Sequence, residues 1–197
     1  MMRRSEIMSI ITKRKTCRVF LNKKVPKKEL RFLINATRYA PSAHNSQPWY
    51  FIVLTRESIG KRQVLKNIKS LMNHIPIGPK IFLKKSVEVM RDAPVLIFVL
   101  NKKNFVHLTR VYGSKYVKIA RDSEFQSIAA AIQNLILVAT SRNIGTAWLT
   151  SPLVFRNELT RTLKVEHELV AILALGYSSK ASKRTRRASI EEICEFR

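Results

Sequence analysis

The chain has 197 residues, with 37 Lys and Arg against 13 Asp and Glu, a formal net charge of +24, and 46% hydrophobic residues. This length and apolar content fill one hydrophobic core, which excludes intrinsic disorder and predicts a single domain over residues 1–197. No uncharged apolar run reaches the ~20 residues of a membrane span, and the start, MMRRSEIMSIITKRK, has no h-region. A cytoplasmic protein without membrane contact is expected.

Cys17 and Cys194 are too few for a disulfide framework. The five glycines, Gly60, Gly78, Gly113, Gly145 and Gly176, are too widely spaced for a glycine-rich phosphate loop, so a bound phosphate must be gripped by side chains. With Asp92 and Asp122 as the only aspartates and no G-x-S-x-G or H-E-x-x-H, a serine-hydrolase triad and a zincin site lack their parts. His44, His74, His107 and His167 have no ligand spacing, and no metal is expected. The remaining route to chemistry is a bound cofactor that carries the reactive atoms.

In chain order, Ile7, Met8, Ile10 and Ile11 behind a Ser5 cap predict a short helix over 5–12, followed by a basic stretch at 13–18. Pro26 opens a second helix with Leu30, Leu33 and Ile34 on one face, Pro41 closes it, and a polar turn follows at 42–47. The β-branched and aromatic runs at 49–54 and 94–100 predict strands. Between them, residues 56–91 are basic and broken by Pro76, Gly78 and Pro79, and are expected as a helical excursion from the core. Residues 125–141 carry no charge; Ser123 with Gln126 suggests a capping box, and Asn143 a left-handed stop. A helix apolar on so many sides predicts burial on most faces, part of it in a subunit interface. Two more strands are expected at 145–150 and 169–175, then a basic cluster at 180–187 and an amphipathic end at 190–196. Strands interleaved with helices without strict alternation favour an α+β sandwich.

The stretch Arg14-Lys15-Thr16-Cys17-Arg18, followed by Pro41-Ser42-Ala43-His44-Asn45-Ser46-Gln47-Pro48-Trp49, resembles the nitroreductase family of FMN-dependent oxidoreductases. The second motif is the specific one, matching the pattern P-S-x-x-N-x-Q-P-W ahead of a strand. Arg91-Asp92-Ala93-Pro94, Ile132-Gln133-Asn134-Leu135, Gly145-Thr146-Ala147-Trp148-Leu149 and Ala174-Leu175-Gly176-Tyr177 resemble further family blocks in the right order.

The resemblance implies a central, mainly antiparallel sheet flanked by helices in an intertwined homodimer. It implies FMN in a cleft between protomers, reduced by NADH or NADPH and reoxidised by a small-molecule acceptor such as a nitroaromatic or quinone. Arg14, Lys15, Thr16 and Arg18, with Arg184 and Arg186 or Arg187, correspond to the phosphate grip, for which guanidinium forks suit a dianion without glycine backbone. Pro41, Ser42 and Ala43 correspond to the turn beside the ring and ribityl chain, and Asn45 and Gln47 to polar contacts across the interface. Trp148, Leu149 and Thr150 correspond to the segment passing over the flavin near N5. Asn143 and Thr150 stand where the commoner family block has glycines, and a side chain at Thr150 narrows the space over the ring. No side chain need be an obligatory acid or base, because the flavin is the redox centre. His44 lies outside the fixed family positions.

Two alternatives stand beside this reading. The A-P-S-A-H-N-x-Q-P-W form is also similar to a flavin domain linked to deazaflavin cofactor assembly, which implies a specialised biosynthetic reductase. Nine basic residues between 13 and 31 and five among 180–187 suit nonspecific binding of nucleic acid or another polyanion.

Overall fold

The computed structural model describes residues 4–178 and 185–197. Four strands, β1 (Trp49–Thr55), β2 (Val95–Asn101), β3 (Gly145–Leu149) and β4 (Glu168–Gly176), form one sheet in the order β1-β2-β4-β3. All three strand pairs are antiparallel, as expected for an α+β sandwich. β2 lies inside the sheet and is buried along its whole length, which is why its sequence is a continuous apolar run rather than an alternating one.

Alternate residues of the sheet serve two helical layers. On one face Ile97, Val99, Ala171 and Leu173 pack against Leu30 and Leu33 of α2 (Lys27–Thr37) and Ile128, Ile132 and Leu135 of α6 (Ser114–Ser141). On the other, Leu96, Phe98, Leu100, Ile172 and Ala174 meet Val64 and Ile68 of α3 (Ile59–Leu71), Leu83 and Met90 of α4 (Ile77–Asp92), and Leu159 of α7 (Arg156–Leu163). Full burial of a side chain such as Phe98 contributes about 1.5–3 kcal/mol. The segment 56–91, read as an excursion, thus supplies α3 and α4, whose inner residues are core. A 3-10 turn at Met72–His74 and Pro76 separate the two helices.

α1 (Arg4–Lys13) and α2 match their predicted spans, with Pro26 as the residue that precedes α2, but Ser5 lies inside α1 and so does not cap it. The capping box at Ser123 does not form. α6 is a 28-residue helix that starts at Ser114 behind Gly113, and Ser123 Oγ donates back to Ile119 O at 2.8 Å. The charged first turns hid the true start. Asn143 does end the region in a left-handed conformation, with φ 55. α5 (Asn104–Thr109) and α7 are short and carry no clear apolar period in the sequence. The amphipathic end forms a brief helix, α8 (Ile190–Ile193), with a complete Ser189 and Glu192 capping box.

Candidate functional site

The basic stretch after α1 is laid against the outer edge of β3. Thr16 bridges Thr146 in parallel, and Cys17 N donates to Thr146 O at 2.8 Å. Gly145 permits this approach: a Cβ there would lie 2.7 Å from both Cβ and Sγ of Cys17. Cys17 is buried, with its thiol directed to Val19 O at 3.2 Å. Farther on, Leu21 N donates to Tyr177 O at 2.7 Å, and Lys23 Nζ sits 4.5 Å from the Tyr177 ring centre. Tyr177, the residue that leaves β4, therefore lies beside Leu21 and Lys23, a few residues beyond the basic stretch at 13–18.

Arg14, Lys15 and Thr16 are half-buried and Arg18 is exposed. Ala147 and Leu149 are buried, whereas Trp148 is 39% exposed and Thr150 is exposed. Because Thr146 O points away from β4 to meet Cys17, the alternation of an antiparallel ladder turns the Trp148 backbone outward as well. This edge therefore presents a backbone amide, a hydroxyl and cationic side chains together, a donor set that suits an anionic, phosphorylated ligand. Arg184 lies outside the described residues. Arg186 and Arg187 are exposed, and Arg187 donates to Thr185 Oγ1 at 3.1 Å.

The second predicted block, Pro41 to Pro48, forms a compact turn containing a 3-10 segment at Ala43–Asn45. His44 (φ 51), Asn45 (φ 51) and Gln47 (φ 42) are all left-handed. Non-glycine residues held so cost on the order of 1–3 kcal/mol each and persist when surroundings over-determine them. The turn is bonded accordingly. Gln47 N donates to Ser42 Oγ at 3.1 Å, Gln47 Nε2 to Asn45 Oδ1 at 3.2 Å, and Ala43 N to Ser127 Oγ of α6 at 3.4 Å. Lys102 N donates to Pro48 O at 2.8 Å, Asn104 Nδ2 to Ser46 O at 3.2 Å, and the His44 ring lies 5.0 Å from that of Phe105. His44, Asn45 and Gln47 are all exposed on this turn.

One chain does not bring the two blocks together. The turn joins the sheet where Trp49 pairs with Asn101 and Asn101 with Glu168, while Thr16 joins it where Thr146 pairs with Leu175. Residues 168 and 175 of β4 are roughly 20 Å apart along the strand.

Sequence reasoning missed the groups that support the turn. Glu124 of α6 is fully buried, and its carboxylate accepts from Asn101 Nδ2 at 2.8 Å, Phe105 N at 2.7 Å and Val106 N at 3.2 Å. At the same end of the sheet the Glu168 side chain, 7% exposed, meets Arg121 at 2.7 Å, Arg156 at 2.9 Å and Lys103 at 3.4 Å. Three cations on one carboxylate leave this end electropositive. In the sequence Glu124 is simply the last charged residue before the uncharged stretch, two positions after Asp122, and nothing there separates the buried acid from the other.

The nitroreductase family model matches residues 11–177. The chain is 26% identical over 195 residues to the Bacillus subtilis protein YfhC, which carries an NAD(P)H nitroreductase name, covering 95% of this chain and 92% of that one. Among solved structures, a nitroreductase-like family protein from Bacillus cereus superposes with a TM-score of 0.78 at 23% identity, covering 100% of this chain and 98% of that one. A BluB-like flavoprotein from Clostridium difficile 630 superposes with a TM-score of 0.74 at 28% identity, covering 97% and 98%.

Proposed function

We propose, on the premise that this chain belongs to the nitroreductase family, that it is a cytoplasmic, homodimeric FMN enzyme using NADH or NADPH to reduce a flat electrophilic acceptor such as a nitroaromatic or quinone. The flavin, when bound, supplies the redox chemistry by accepting a hydride at N5 and passing reducing equivalents on. The observation that carries this reading is the Cys17 to Thr146 bond, which sets the Arg14 to Arg18 stretch beside the open edge of β3.

The roles of the residues follow from their chemistry. Arg14, Lys15 and Arg18, with Arg184 and Arg186 or Arg187, offer charge-assisted partners for the phosphate, and Thr16 adds a hydroxyl. The outward Trp148 backbone offers an amide where negative charge develops on reduction. Ala43 and Ser42 keep the turn small enough for close approach to a planar ring, and the Asn45 and Gln47 amides can donate and accept at its polar edge. Trp148 and Leu149 exclude water over one side, and Thr150 limits the bulk of an acceptor. The separation of the two blocks in one chain favours a site in which the turn comes from a second copy. The flavoprotein of similar fold and the NAD(P)H nitroreductase name of YfhC support the cofactor and reductant.

Titrating FMN into the cofactor-free protein while following flavin fluorescence tests this reading. Saturation near one FMN per chain is expected; a protein that quenches no flavin contradicts it.

A further inference from the structure

We infer that Glu124 is a positioning residue, whose buried carboxylate acts through the N-terminus of α5 to hold the 42–47 turn in the conformation that meets the flavin; this rests on the flavin reading above. The links are continuous. Glu124 Oε1 accepts from the first free amides of α5, Phe105 N at 2.7 Å and Val106 N at 3.2 Å. These bonds fix the Phe105 ring against His44 and place Asn104 to donate to Ser46 O. Ser127, three residues along the same face of α6, receives Ala43 N. The left-handed residues His44, Asn45 and Gln47 are thus held from α5 and α6 together.

The polarity of this network admits a carboxylate and not an amide. Lys103 N can only donate, and it donates to Asn101 Oδ1 at 2.8 Å, which turns the Asn101 amide group toward Glu124 Oε2. Position 124 must therefore accept at both ends. In Glu124→Gln the oxygen can still serve α5, but the new amide group then meets that of Asn101, two donors facing each other in a buried site. Rotating Asn101 only moves the conflict to Lys103 N. Adding Asn101→Asp removes it, because an aspartate there accepts both from the amide that the first substitution introduces and from Lys103 N.

The turn supplies its own reporter, since the amides of Ala43, Asn45, Ser46 and Gln47 all donate within the clamp. Amide hydrogen exchange is measured on the cofactor-free wild type, on Glu124→Gln and on Glu124→Gln with Asn101→Asp, alongside FMN affinity of each. Exchange in Glu124→Gln should rise about tenfold over 43–47 and at 105–106, with a comparable loss of FMN affinity, and the double variant should restore both. A folded Glu124→Gln with unchanged exchange over 43–47, or a double variant no better than the single one, overturns the inference. If Glu124→Gln does not fold, Phe105→Leu replaces it, and raised exchange over 43–47 supports the linkage while unchanged exchange refutes it. A wild type that binds no FMN but shows the expected exchange pattern sinks the flavin reading and leaves the clamp standing. FMN binding without that pattern removes the clamp and leaves the flavin reading intact.

Discussion

Cys17 N donates to Thr146 O at 2.8 Å, and this single bond places the first basic cluster of the chain alongside a strand from its far half. The contact depends on a missing side chain. Gly145→Ala would set a methyl 2.7 Å from Cys17 Cβ and Sγ. We expect a loss of about 1–3 kcal/mol in denaturant unfolding and weaker FMN binding, because the basic stretch must leave the strand. Unchanged stability and FMN affinity would show that the close approach is dispensable.

A site shared between two copies makes a prediction that a site within one chain does not. Arg14→Ala and Asn45→Ala should each weaken FMN retention, Arg14→Ala by about tenfold for one lost charge-assisted contact. Mixed dimers of the two variants should recover one intact site in two. Co-expression with separable tags, followed by FMN titration of the mixed species, checks this; a mixed dimer with no tight site places both residues in one chain's site.

Lys61 is 2% exposed, and its ammonium group donates to Ala93 O and, at 3.2 Å, to Arg91 O at the end of α4. Burial, aided by the Arg56 charge, pushes its pKa down from 10.5 to about 8 against the pull of Asp92 and Glu57. Between these values the unfolded chain holds a proton that the folded chain has released, so this group's contribution to folding improves as pH rises from about 8 toward 10.5. Below about 8 the cost of burying the charge is fully present. Lys61→Met should therefore lack a rise on the order of 1–3 kcal/mol that the wild type shows across that window. Parallel unfolding curves from about pH 7.5 upward, taken as the difference between the two proteins, test it. Equal pH slopes would show that Lys61 titrates normally.

Thr150 is exposed directly after β3, at the start of a 3-10 segment over Ser151–Phe155. If its side chain limits the space beside the ring, Thr150→Gly should raise kcat/KM for bulky acceptors several-fold, a change of about 1 kcal/mol in transition-state binding, with small quinones little affected. A uniform change across acceptor sizes would argue against a steric role.

The strands, α1 and α2 were readable from their apolar patterns, and α2 also from the boundary residue Pro26. The resemblance of Arg14 to Arg18 and Pro41 to Trp49 to a family pattern identified the blocks, yet nothing in local sequence revealed that one chain holds them at opposite ends of the sheet. That arrangement arises from strand order and register. The start of α6 was misread because Ser123 and Gln126 have capping chemistry, but the charged turns before them are helical too, and Ser123 bonds back into the helix instead. Glu124 was missed for a related reason: a buried acid is recognisable only once Asn101 and the α5 amides surround it.

The proposed function stands on a bound flavin that a nicotinamide reduces and an acceptor reoxidises. Anaerobic addition of NADH or NADPH to the FMN-loaded protein, followed in the visible spectrum, decides it. The oxidised flavin absorption should bleach, and an added nitroaromatic or quinone should restore it. A bound flavin whose spectrum neither nicotinamide alters would contradict the proposal.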